Sequence, residues 1–482
     1  MICLTLSSPT LDACRDEVIA NRSNIDLCEL RVDLLQPAEA ERAKDFPKMV
    51  DLPVILTLRR KVDGGKCVLS ERARRSLLLK ALDGGFKYID LEDDIKKNEV
   101  EAKARSLGVK IIRSFHDFNG VPEDIYSRIY RLSERGDIAK AAVKPNSIND
   151  VITLFKIKDE LKDIPKIIIG MGEYGVVTRI LYKKMGSYLT FASAGSAVAP
   201  GQVTAADLKN LYRADKVNDN TALYGIIGNP VMHTSSPRIH NPGFQRINYN
   251  AVYVPFLVDN IRSFFCFAEM LKLRGFSVTI PFKVDVLSYL GNITREVKQI
   301  GSCNTVVRVP GMWKGINTDY YGFLSPILKD IDSGRIKTAL VIGAGGASQA
   351  IVWALKNRDV KVIILNRTLQ HAVHLAKLNL CQYDTLKNAK HYEGQVDLIV
   401  QTTSVGLYPD FDANPIEGFE FTGREIVYDI IYKPKMTKLL KEAEKKGCTL
   451  HFGEEMLFEQ GKLQFEAFTG YHYPQDLHPE LA

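Results

Sequence analysis

The chain has 482 residues, of which 45% are hydrophobic and 25% are charged, and its formal net charge is +7. This composition is typical of a folded globular protein of about three domains, and it argues against a disordered chain. The positive charge forms no basic stripe or tail, which argues against nucleic acid as the main partner and suits an anionic metabolite.

The eight cysteines are scattered along the chain without a Cys-x-x-Cys or a Cys/His cluster. We therefore expect neither a metal site nor a disulfide framework. No apolar stretch is long enough to span a bilayer, and the first residues show no cationic signal region. From the sequence we expect a cytoplasmic protein without a membrane partner.

Eight apolar, strand-like runs alternate with charged, helix-like stretches in the first 213 residues. The runs lie at residues 1–6, 25–32, 54–59, 86–91, 109–115, 138–143, 165–170 and 188–192. Repeated strand–helix units of this number are typical of an α/β fold of the (β/α)8 kind, so the pattern predicts a TIM barrel over 1–213. Its chemistry would lie at the C-terminal ends of the strands.

Those predicted strand ends are rich in groups that can act chemically. They carry Glu29, Arg31, Arg59, Glu92, His116, Lys144, Met171 and Phe191. Lys144 follows an apolar run and is expected to lose hydration, which favours a neutral amine that can form an imine with a ketone. His116 can then move the proton. Singly, a surface lysine and a satisfied core histidine are the better explanations; together with the arginines and the carboxylate they favour a site.

Six short motifs follow one another in this part of the chain. They are Glu29-Leu30-Arg31-Val32-Asp33, Leu56-Thr57-Leu58-Arg59, Ser114-Phe115-His116-Asp117, Val143-Lys144-Pro145, Gly170-Met171-Gly172 with Arg179, and Ala199-Pro200-Gly201-Gln202. In this order they resemble the type I 3-dehydroquinate dehydratases over almost the whole of 1–213.

The resemblance implies that Lys144 forms a Schiff base with the ring ketone and that His116 serves as general base and then as general acid. It also implies a set of residues that hold the substrate's hydroxyls and carboxylate: Glu29, Arg31, Arg59, Arg179 and Gln202. Two positions depart from the family pattern. Asp63 stands where a glutamate usually orients the histidine, and Val198 replaces a serine in the loop before Gln202.

A polar segment at 213–221 lacks a periodic apolar face and is typical of a linker. Beyond it, strand-like runs at 223–227, 252–256 and 276–280 begin a new α/β pattern. Lys283 and Asp319 follow as a candidate pair, in which a carboxylate beside an amine can prepare proton delivery to a carbonyl that is being reduced. Without further observations, a surface salt bridge is the better explanation.

A glycine-rich turn follows the apolar run at 339–342 and precedes a helix-like stretch. Such a turn can cradle a pyrophosphate on backbone N–H groups, although a lone turn of this kind can also bind nothing. The next strand-like run, 360–365, ends in Asn366-Arg367-Thr368, where NAD-binding units carry an acidic residue. A guanidinium suits a ribose phosphate, so the sequence favours NADP over NAD.

Further motifs of this second part lie in a consistent order. They are Gly228-Asn229-Pro230, His233-Thr234-Ser235-Ser236-Pro237, Val278-Thr279-Ile280-Pro281-Phe282-Lys283, Gly301-Ser302-Cys303-Asn304-Thr305, Asn317-Thr318-Asp319, Gly343-Ala344-Gly345-Gly346-Ala347-Ser348, Asn366-Arg367-Thr368, Thr403-Ser404-Val405-Gly406, Asp429-Ile430-Ile431-Tyr432 and Met456-Leu457 with Gln460 and Gln464. From 222 almost to the end, they resemble shikimate dehydrogenases.

This second resemblance implies that Lys283 and Asp319 carry catalysis. The implied substrate-pocket residues are Thr234, Ser236, Thr279, Asn304, Tyr432, Gln460 and Gln464. The implied NADPH-binding residues are Gly343, Ala344, Gly345, Gly346, Ala347, Ser348, Asn366, Arg367 and Thr368. Four positions depart from the pattern, namely Thr234 and Ser277 in the pocket, Tyr320 after the aspartate, and His371 where a second arginine often contacts the phosphate.

The sequence as a whole predicts a barrel at 1–213, a substrate-binding domain at 222–325 and a Rossmann-type NADP-binding domain at 326–450, with helices of 451–482 returning to the substrate domain. The expected function is bifunctional: dehydration of 3-dehydroquinate to 3-dehydroshikimate, then NADPH-dependent reduction to shikimate, on small-molecule substrates and without a metal. Two alternatives stay open. The second half could be a quinate or NAD-linked dehydrogenase, or one half could be an inactive ligand-sensing or scaffolding module.

Overall fold

The computed structural model describes residues 1–94, 99–195, 201–407 and 410–481. The chain forms two compact units, one of Met1–Thr221 with Val254–Met270 and one of Ala222–Tyr253 with Leu271–Ala482. In these described ranges no helix has the length and apolar character needed to cross a membrane. Within the same ranges, no group of three or more His, Cys, Asp or Glu side chains is arranged to hold a metal ion.

The first unit is built on an eight-stranded parallel sheet. Its strands are β1 Ile2–Leu6, β2 Leu27–Arg31, β3 Val54–Thr57, β4 Tyr88–Glu92, β5 Lys110–Asp117, β6 Ile138–Val143, β7 Lys166–Gly170 and β8 Thr190–Ala192. The order runs β7-β6-β5-β4-β3-β2-β1-β8. A parallel bridge from Lys166 to Ser187, just before β8, brings the two ends of the sheet together. The predicted barrel is confirmed, and each strand lies within about two residues of its predicted run.

Helices cover the outside of the barrel. They are α1 Leu11–Asn21, α2 Pro37–Glu41, α3 Glu71–Ala81, α4 Glu99–Ser106, α5 Ile125–Ser133, α6 Ile148–Glu160 and α7 Val176–Ile180. Several start at a hydroxyl cap; in α6 the Ser147 side chain accepts a hydrogen bond from the Asp150 N–H, which satisfies one of the free donors of the first turn. In the same unit Phe267 of the segment Val254–Met270 packs edge-on against Phe155 of α6 at 5.1 Å.

One apolar layer fills the lower barrel interior. Alternate strand positions supply it, among them Cys3, Leu27, Ile55, Tyr88, Ile112, Ile138, Ile167 and Leu189. Successive side chains of a strand point to opposite faces, so the residue two positions further along each strand also points inward. Those next inward positions are largely polar, and they form the floor of the candidate site described below.

The second unit begins with a six-stranded mixed sheet. Its elements are β9 Ala222–Gly228, α8 Ser236–Arg246, β10 Ala251–Leu257, α9 Ile261–Met270, β11 Gly275–Val278, β12 Asn292–Ile293, α10 Arg295–Ile300, β13 Thr305–Val309 and β14 Met312–Ile316. The strand order is β10-β9-β11-β13-β14-β12. The segment Val254–Met270, which runs from within β10 to the end of α9, clusters with the first unit although β10 is a strand of this sheet.

A six-stranded parallel sheet completes the second unit. Its elements are α11 Asp319–Asp332, β15 Thr338–Ile342, α12 Gly346–Lys356, β16 Lys361–Asn366, α13 Leu369–Asn379, β17 Gln382–Thr385, β18 Leu398–Gln401, β19 Ile426–Asp429, α14 Lys438–Lys445, β20 Thr449–Phe452 and α15 Gly453–Thr469. The order β17-β16-β15-β18-β19-β20 reverses direction after β15, which is the Rossmann arrangement. Helix α15 packs against α8 and α11.

Candidate active sites

A polar layer lies directly above the apolar layer of the barrel. Glu29, Asp90, Ser114 and Lys140 each stand two residues after an apolar-layer residue of their strand. The Lys140 Nζ donates to Asp90 Oδ2 at 2.8 Å and lies 3.8 Å from Glu29 Oε1. It also lies 4.3 Å from the ring centroid of Phe191. With a side chain only 5% exposed, Lys140 is an amine enclosed within the barrel mouth.

Lys144 has a different environment. It follows the end of β6, and its side chain is exposed to solvent. The expectation that Lys144 loses its hydration is therefore wrong, because the strand ends at Val143 and the Lys144 side chain is exposed. The lysine that the fold encloses is Lys140, which lies four residues earlier, within β6.

Arg59 contacts both Asp90 of the polar layer and Glu92, which lies two residues further along β4. Its Nη2 lies 2.7 Å from Asp90 Oδ2, and its Nη1 lies 3.2 Å from Glu92 Oε1 and donates to Ser114 Oγ at 3.0 Å. Burial alone would raise the pKa of Asp90, but the charges of Arg59 and Lys140 hold it well below its usual range. Asp90 is consequently an anion fixed between two cations.

His116 lies near the C-terminal end of β5, two residues after Ser114, and is half-buried. Burial, and then the positive charges of Arg59 and Lys140, hold the pKa of His116 well below its usual range. A neutral imidazole is the form that can accept a proton, so the environment suits a general base. Asp90 is the carboxylate that acts electrostatically on His116.

Asp63, which the sequence suggested as the carboxylate that orients His116, is paired elsewhere. Its carboxylate accepts a hydrogen bond from Arg60 Nε at 2.7 Å. That role is therefore not supported, because Asp63 lies on the turn after β3, whereas Asp90 and Glu92 lie on β4 inside the barrel. Val198, and Ala199 and Pro200 of the predicted motif, lie outside the described residues.

The remaining predicted barrel residues surround this cluster in different ways. Glu29 accepts hydrogen bonds from Thr5 Oγ1 at 3.1 Å and Thr57 Oγ1 at 2.9 Å. Arg31, at the end of β2, donates to both oxygens of Asp33 at 2.9 and 2.7 Å. Gln202 is half-buried.

Arg179 is a buried cation with few partners. It is 8% exposed, its Nη1 donates to the Phe191 carbonyl at 3.2 Å, and its Nε has no hydrogen-bond partner among the described residues. Burial lowers the pKa of Arg179 to about 10, so the group is still a cation at neutral pH. A buried guanidinium with free donors suits an anionic ligand group.

The second candidate site is built around Lys283 and Asp319. The Lys283 Nζ donates to Asp319 Oδ2 at 2.5 Å, and Asn304 Nδ2 donates to Asp319 Oδ1 at 2.8 Å. Asp319 is 4% exposed and Asn304 is 2% exposed, so this pair is not the surface salt bridge considered above. A carboxylate held on both oxygens fixes the amine beside it.

A cavity of about 370 Å³ contains this pair. Eleven predicted residues line it: Ser236, Thr279, Lys283, Asn304, Asp319, Gly345, Gly346, Ala347, Tyr432, Gln460 and Gln464. Ser277 also lines it and donates to Gln464 Oε1 at 2.8 Å. Thr234 does not line the cavity, but its hydroxyl donates to Ser236 Oγ at 3.1 Å. The cavity therefore joins the predicted substrate residues to the glycine-rich turn.

The glycine-rich turn joins β15 to α12. Gly343 has a φ of +113°, and a Cβ there would lie 2.4 Å from Thr402 Oγ1, so only glycine fits. A Cβ on Gly345 would meet nothing within 4 Å, which leaves open space before the helix start. Ser348 accepts a hydrogen bond from the Gly345 N–H at 3.1 Å, and Ala344 lies between the two glycines. This geometry suits the close approach of a pyrophosphate.

The predicted ribose-phosphate residues lie at the end of β16. The Asn366 side chain donates to the Thr368 carbonyl at 2.9 Å, while Arg367, Thr368 and His371 are exposed. Tyr320, which departs from the family pattern, packs edge-on against Trp353 of α12 at 5.1 Å. Its ring serves the packing of two helices.

Sequence reasoning missed several residues of both sites. In the barrel these are Lys140 and Asp90; Ser114 appeared only within a motif, and Ser277 in the second unit only as a departure from the family pattern. The signal for Lys140 was present, because a lysine inside a fully buried strand needs a partner.

Three family models match the chain. Residues 2–219 match the type I 3-dehydroquinase, residues 226–306 the shikimate dehydrogenase substrate binding domain, and residues 327–408 the shikimate / quinate 5-dehydrogenase.

Individual relatives agree with these matches. The chain is 35% identical to a bifunctional 3-dehydroquinate dehydratase/shikimate dehydrogenase, named chloroplastic, of Arabidopsis thaliana, over 100% of this chain and 84% of that protein. It is 37% identical to a shikimate dehydrogenase (NADP(+)) of Caldanaerobacter subterraneus, over 54% of this chain and 96% of the relative.

Solved structures resemble the second half. A crystal structure of shikimate dehydrogenase from Aquifex aeolicus has a TM-score of 0.50 and 37% identity, covering 54% of this chain and 96% of that one. A shikimate dehydrogenase solved in complex with NADP+ has a TM-score of 0.50 and 33% identity, covering 54% and 93%.

Proposed function

The chain belongs to the family of bifunctional 3-dehydroquinate dehydratase/shikimate dehydrogenases, and on this premise we propose that its barrel dehydrates 3-dehydroquinate while its second unit reduces the resulting 3-dehydroshikimate to shikimate with NADPH. The observation that carries the proposal is the presence of two separate amine–carboxylate pairs. Lys140 pairs with Asp90 inside the barrel, and Lys283 pairs with Asp319 in the cavity beside the glycine-rich turn.

In the barrel we propose Lys140, in place of Lys144, as the amine that attacks the ring ketone. The attack forms an imine and releases water, and the protonated imine makes the neighbouring C–H more acidic. The Lys140 Nζ lies 2.8 Å from Asp90 Oδ2 and 3.8 Å from Glu29 Oε1. Two nearby carboxylates stabilise the positive charge of the iminium nitrogen, which is the charge that the reaction creates.

His116 is the proposed base in this step. As a neutral imidazole it takes the proton from the acidified carbon and then returns it to the departing hydroxyl, which leaves as water. Hydrolysis of the imine frees the product and restores Lys140. Arg179 would hold the substrate carboxylate, because it is a buried cation with unused donors. Glu29, Arg31, Arg59 and Gln202 are proposed to complete the substrate-binding wall.

In the second unit Lys283 is the proposed proton donor. NADPH, when bound, supplies the hydride that reduces the ketone, and Lys283 gives a proton to the carbonyl oxygen. Asp319 holds the amine at 2.5 Å and is itself held by Asn304. Thr234, Ser236, Thr279, Tyr432, Gln460 and Gln464 are proposed to bind the substrate's hydroxyls and carboxylate, since they line the cavity or bond to a residue that does.

The residues around the glycine-rich turn fit a dinucleotide. Open space in front of Gly345 and the N–H groups at the start of α12 suit a pyrophosphate. The exposed guanidinium of Arg367 suits a 2′-phosphate. Support for NADPH also comes from the relatives, which are named as NADP(+) enzymes. Binding titrations with NADPH and NADH test this point, and equal affinities would contradict it.

The domain division is a further part of the proposal. A barrel at 1–213, a substrate domain at 222–325 and a cofactor domain at 326–450 are supported by the ranges of the family matches, and the return of 451–482 is supported by the packing of α15 on α8. Limited proteolysis should cut first at 214–221. We also propose a cytoplasmic location, which cell fractionation would test.

A coupled assay tests the whole function. Purified protein is given 3-dehydroquinate and NADPH, with no other enzyme present. We expect one NADPH to be oxidised for each 3-dehydroquinate consumed and shikimate to accumulate. Absence of NADPH oxidation from both 3-dehydroquinate and 3-dehydroshikimate would contradict the reductase assignment, and lack of dehydration alone would contradict the barrel assignment.

A further inference from the structure

Tyr253 is a buried tyrosine whose position is fixed from several sides. It lies in β10 and is 0% exposed. Its N–H donates to Asn241 Oδ1 at 2.7 Å, and Asn241 Nδ2 donates back to the Tyr253 carbonyl at 2.9 Å. The ring of His240 stacks on the tyrosine ring, with the centroids 4.3 Å apart. Backbone and ring are therefore both held, which leaves the hydroxyl in one place.

That hydroxyl connects two side chains of the cavity wall. It donates to Ser277 Oγ at 2.7 Å and is also hydrogen-bonded to Ser236. Both serines line the cavity, whereas Tyr253 itself does not. Any influence of Tyr253 on a bound ligand must therefore pass through these two hydroxyl groups.

The hydrogen bonds continue from Ser277 into the candidate catalytic pair. Ser277 donates to Gln464 Oε1 at 2.8 Å, so the Gln464 amide nitrogen faces the other way and donates to the Asn304 carbonyl at 3.1 Å. The side-chain amide of the same residue, Asn304 Nδ2, donates to Asp319 Oδ1 at 2.8 Å. Each group has a single fitting orientation here, because a donor placed opposite another donor would be left unsatisfied in a buried site.

We propose, on the basis of the reductase function proposed above, that Tyr253 is a positioning residue for the dehydrogenase substrate. Its hydroxyl sets the directions of the Ser236 and Ser277 hydroxyls, and Ser277 is held on its other side by the Gln464 amide, which the Asn304 carbonyl orients. The substrate's hydroxyl groups then meet a fixed pattern of donors and acceptors. Without the Tyr253 hydroxyl, Ser277 keeps its bond to Gln464 but loses the donor on its other side, and the Ser236 and Ser277 hydroxyls are less well fixed.

Tyr253→Phe tests the proposal while keeping the packed ring. We expect the KM for 3-dehydroshikimate to rise about tenfold, the effect of one misdirected buried hydrogen bond. The KM for NADPH and the dehydratase activity should stay unchanged. Tyr224→Phe is the matched control, since Tyr224 is 1% exposed in the same unit and donates to the Phe468 carbonyl at 2.8 Å, away from the cavity. It should leave both KM values unchanged.

A double-mutant cycle shows whether the effect passes through Ser277. If it does, Tyr253→Phe combined with Ser277→Ala loses less kcat/KM than the product of the two single losses. Three results would each overturn the proposal. The first is that the two losses multiply. The others are a KM for 3-dehydroshikimate in Tyr253→Phe within about twofold of that of the unaltered chain, and equal rises in both KM values together with earlier thermal unfolding. An unaltered chain that cannot reduce 3-dehydroshikimate would overturn the reductase function itself, and this inference with it.

Discussion

At the scale of single residues, the enclosed Lys140 of β6 and the solvated Lys144 just beyond its end are only four residues apart. Lys140 is surrounded by Asp90, Glu29 and the Phe191 ring, whereas Lys144 extends into water beyond the end of β6. The Lys140 amine is held in one place by its carboxylate partners, whereas the Lys144 amine is a hydrated group without a fixed partner among the described residues inside the barrel. The strand position of the residue therefore decides its chemistry.

Replacing the two lysines in turn tests this distinction. We expect Lys140→Ala to reduce dehydration more than about a thousandfold, because the covalent route is lost. Lys144→Ala, the matched control just after the same strand, should keep most of the activity. Borohydride added with 3-dehydroquinate should trap a covalent adduct on the peptide that contains Lys140, and the Lys140→Ala chain should yield none. An adduct on Lys144 would contradict the assignment.

His240 is a second residue whose burial has a measurable effect. It is 0% exposed in the second unit, and burial lowers its pKa to about 3. The unfolded chain binds a proton at this histidine near pH 6.5, whereas the folded chain does not until about pH 3. The neutral histidine therefore makes the folded state less stable as the pH falls below 6.5. Asp429 has the opposite effect on stability. Burial raises its pKa to about 7, so the folded chain binds a proton there before the unfolded chain does and gains stability as the pH falls.

His240→Phe isolates this contribution, because Asp429 is common to both chains. The free energy of unfolding of the variant, relative to that of the unaltered chain, should rise by about 1.4 kcal/mol for each unit by which the pH falls from 6.5 to 4. Urea unfolding at several pH values measures it. The two tryptophans, Trp313 and Trp353, both lie in the second unit, so their fluorescence follows this unit alone. A difference that does not vary with pH would contradict the prediction.

At the scale of an element, the turn between β15 and α12 has two glycines with separate tasks. Gly343 is required by the backbone, since its φ is +113° and a Cβ would lie 2.4 Å from Thr402 Oγ1. Gly345 has an extended backbone with φ of −93°, and a Cβ would meet no protein atom. The first glycine permits the turn, and the second leaves room for a ligand.

Two alanine substitutions separate these tasks. Gly343→Ala should lower the free energy of unfolding of the second unit by about 1–3 kcal/mol, because the left-handed backbone and the close contact are both strained. Gly345→Ala should change this free energy by less than about 0.5 kcal/mol and still weaken NADPH binding. Titration with NADPH and tryptophan-detected unfolding give the two quantities. Unchanged NADPH affinity in Gly345→Ala would place the pyrophosphate elsewhere.

The strands and helices were easier to predict from the sequence than the side chains that form the sites. The apolar runs predicted all eight barrel strands, and the motif around His116 predicted a group that does lie at the barrel mouth. Lys140 was missed because its strand was treated as an uninterrupted apolar run. A count of two residues from Ile138 would have placed it on the inward face. Tyr253 could not be predicted, because its role depends on contacts between β10, β11 and α15 that are distant in sequence.

At the scale of the whole molecule, each candidate site is complete within its own unit. The residues of the Lys140 cluster come from the barrel strands, and those around Lys283 come from the second unit. Loss of one site should therefore leave the chemistry of the other intact. The alternative of an inactive half finds no support in the geometry, since both amines have their carboxylate partners.

Mixing two inactivated chains tests this independence. Lys140→Ala should reduce 3-dehydroshikimate but not dehydrate 3-dehydroquinate, and Lys283→Ala should do the reverse. An equimolar mixture should oxidise NADPH when given 3-dehydroquinate, after a lag in which free 3-dehydroshikimate accumulates. Loss of both activities from either substitution, in protein that still unfolds cooperatively, would contradict two independent sites.

The segment Val254–Met270 makes the boundary between the halves less simple than the linker suggests. Its Phe267 packs on Phe155 of the barrel unit, and its Asp259 accepts a hydrogen bond from the Ile148 N–H at 2.9 Å. A gene divided at the codons for 214–221 would thus deprive the barrel of a hydrophobic cover encoded downstream. Two separately encoded halves would therefore need changes on the surfaces that this segment covers, and the two halves are more easily kept as one polypeptide.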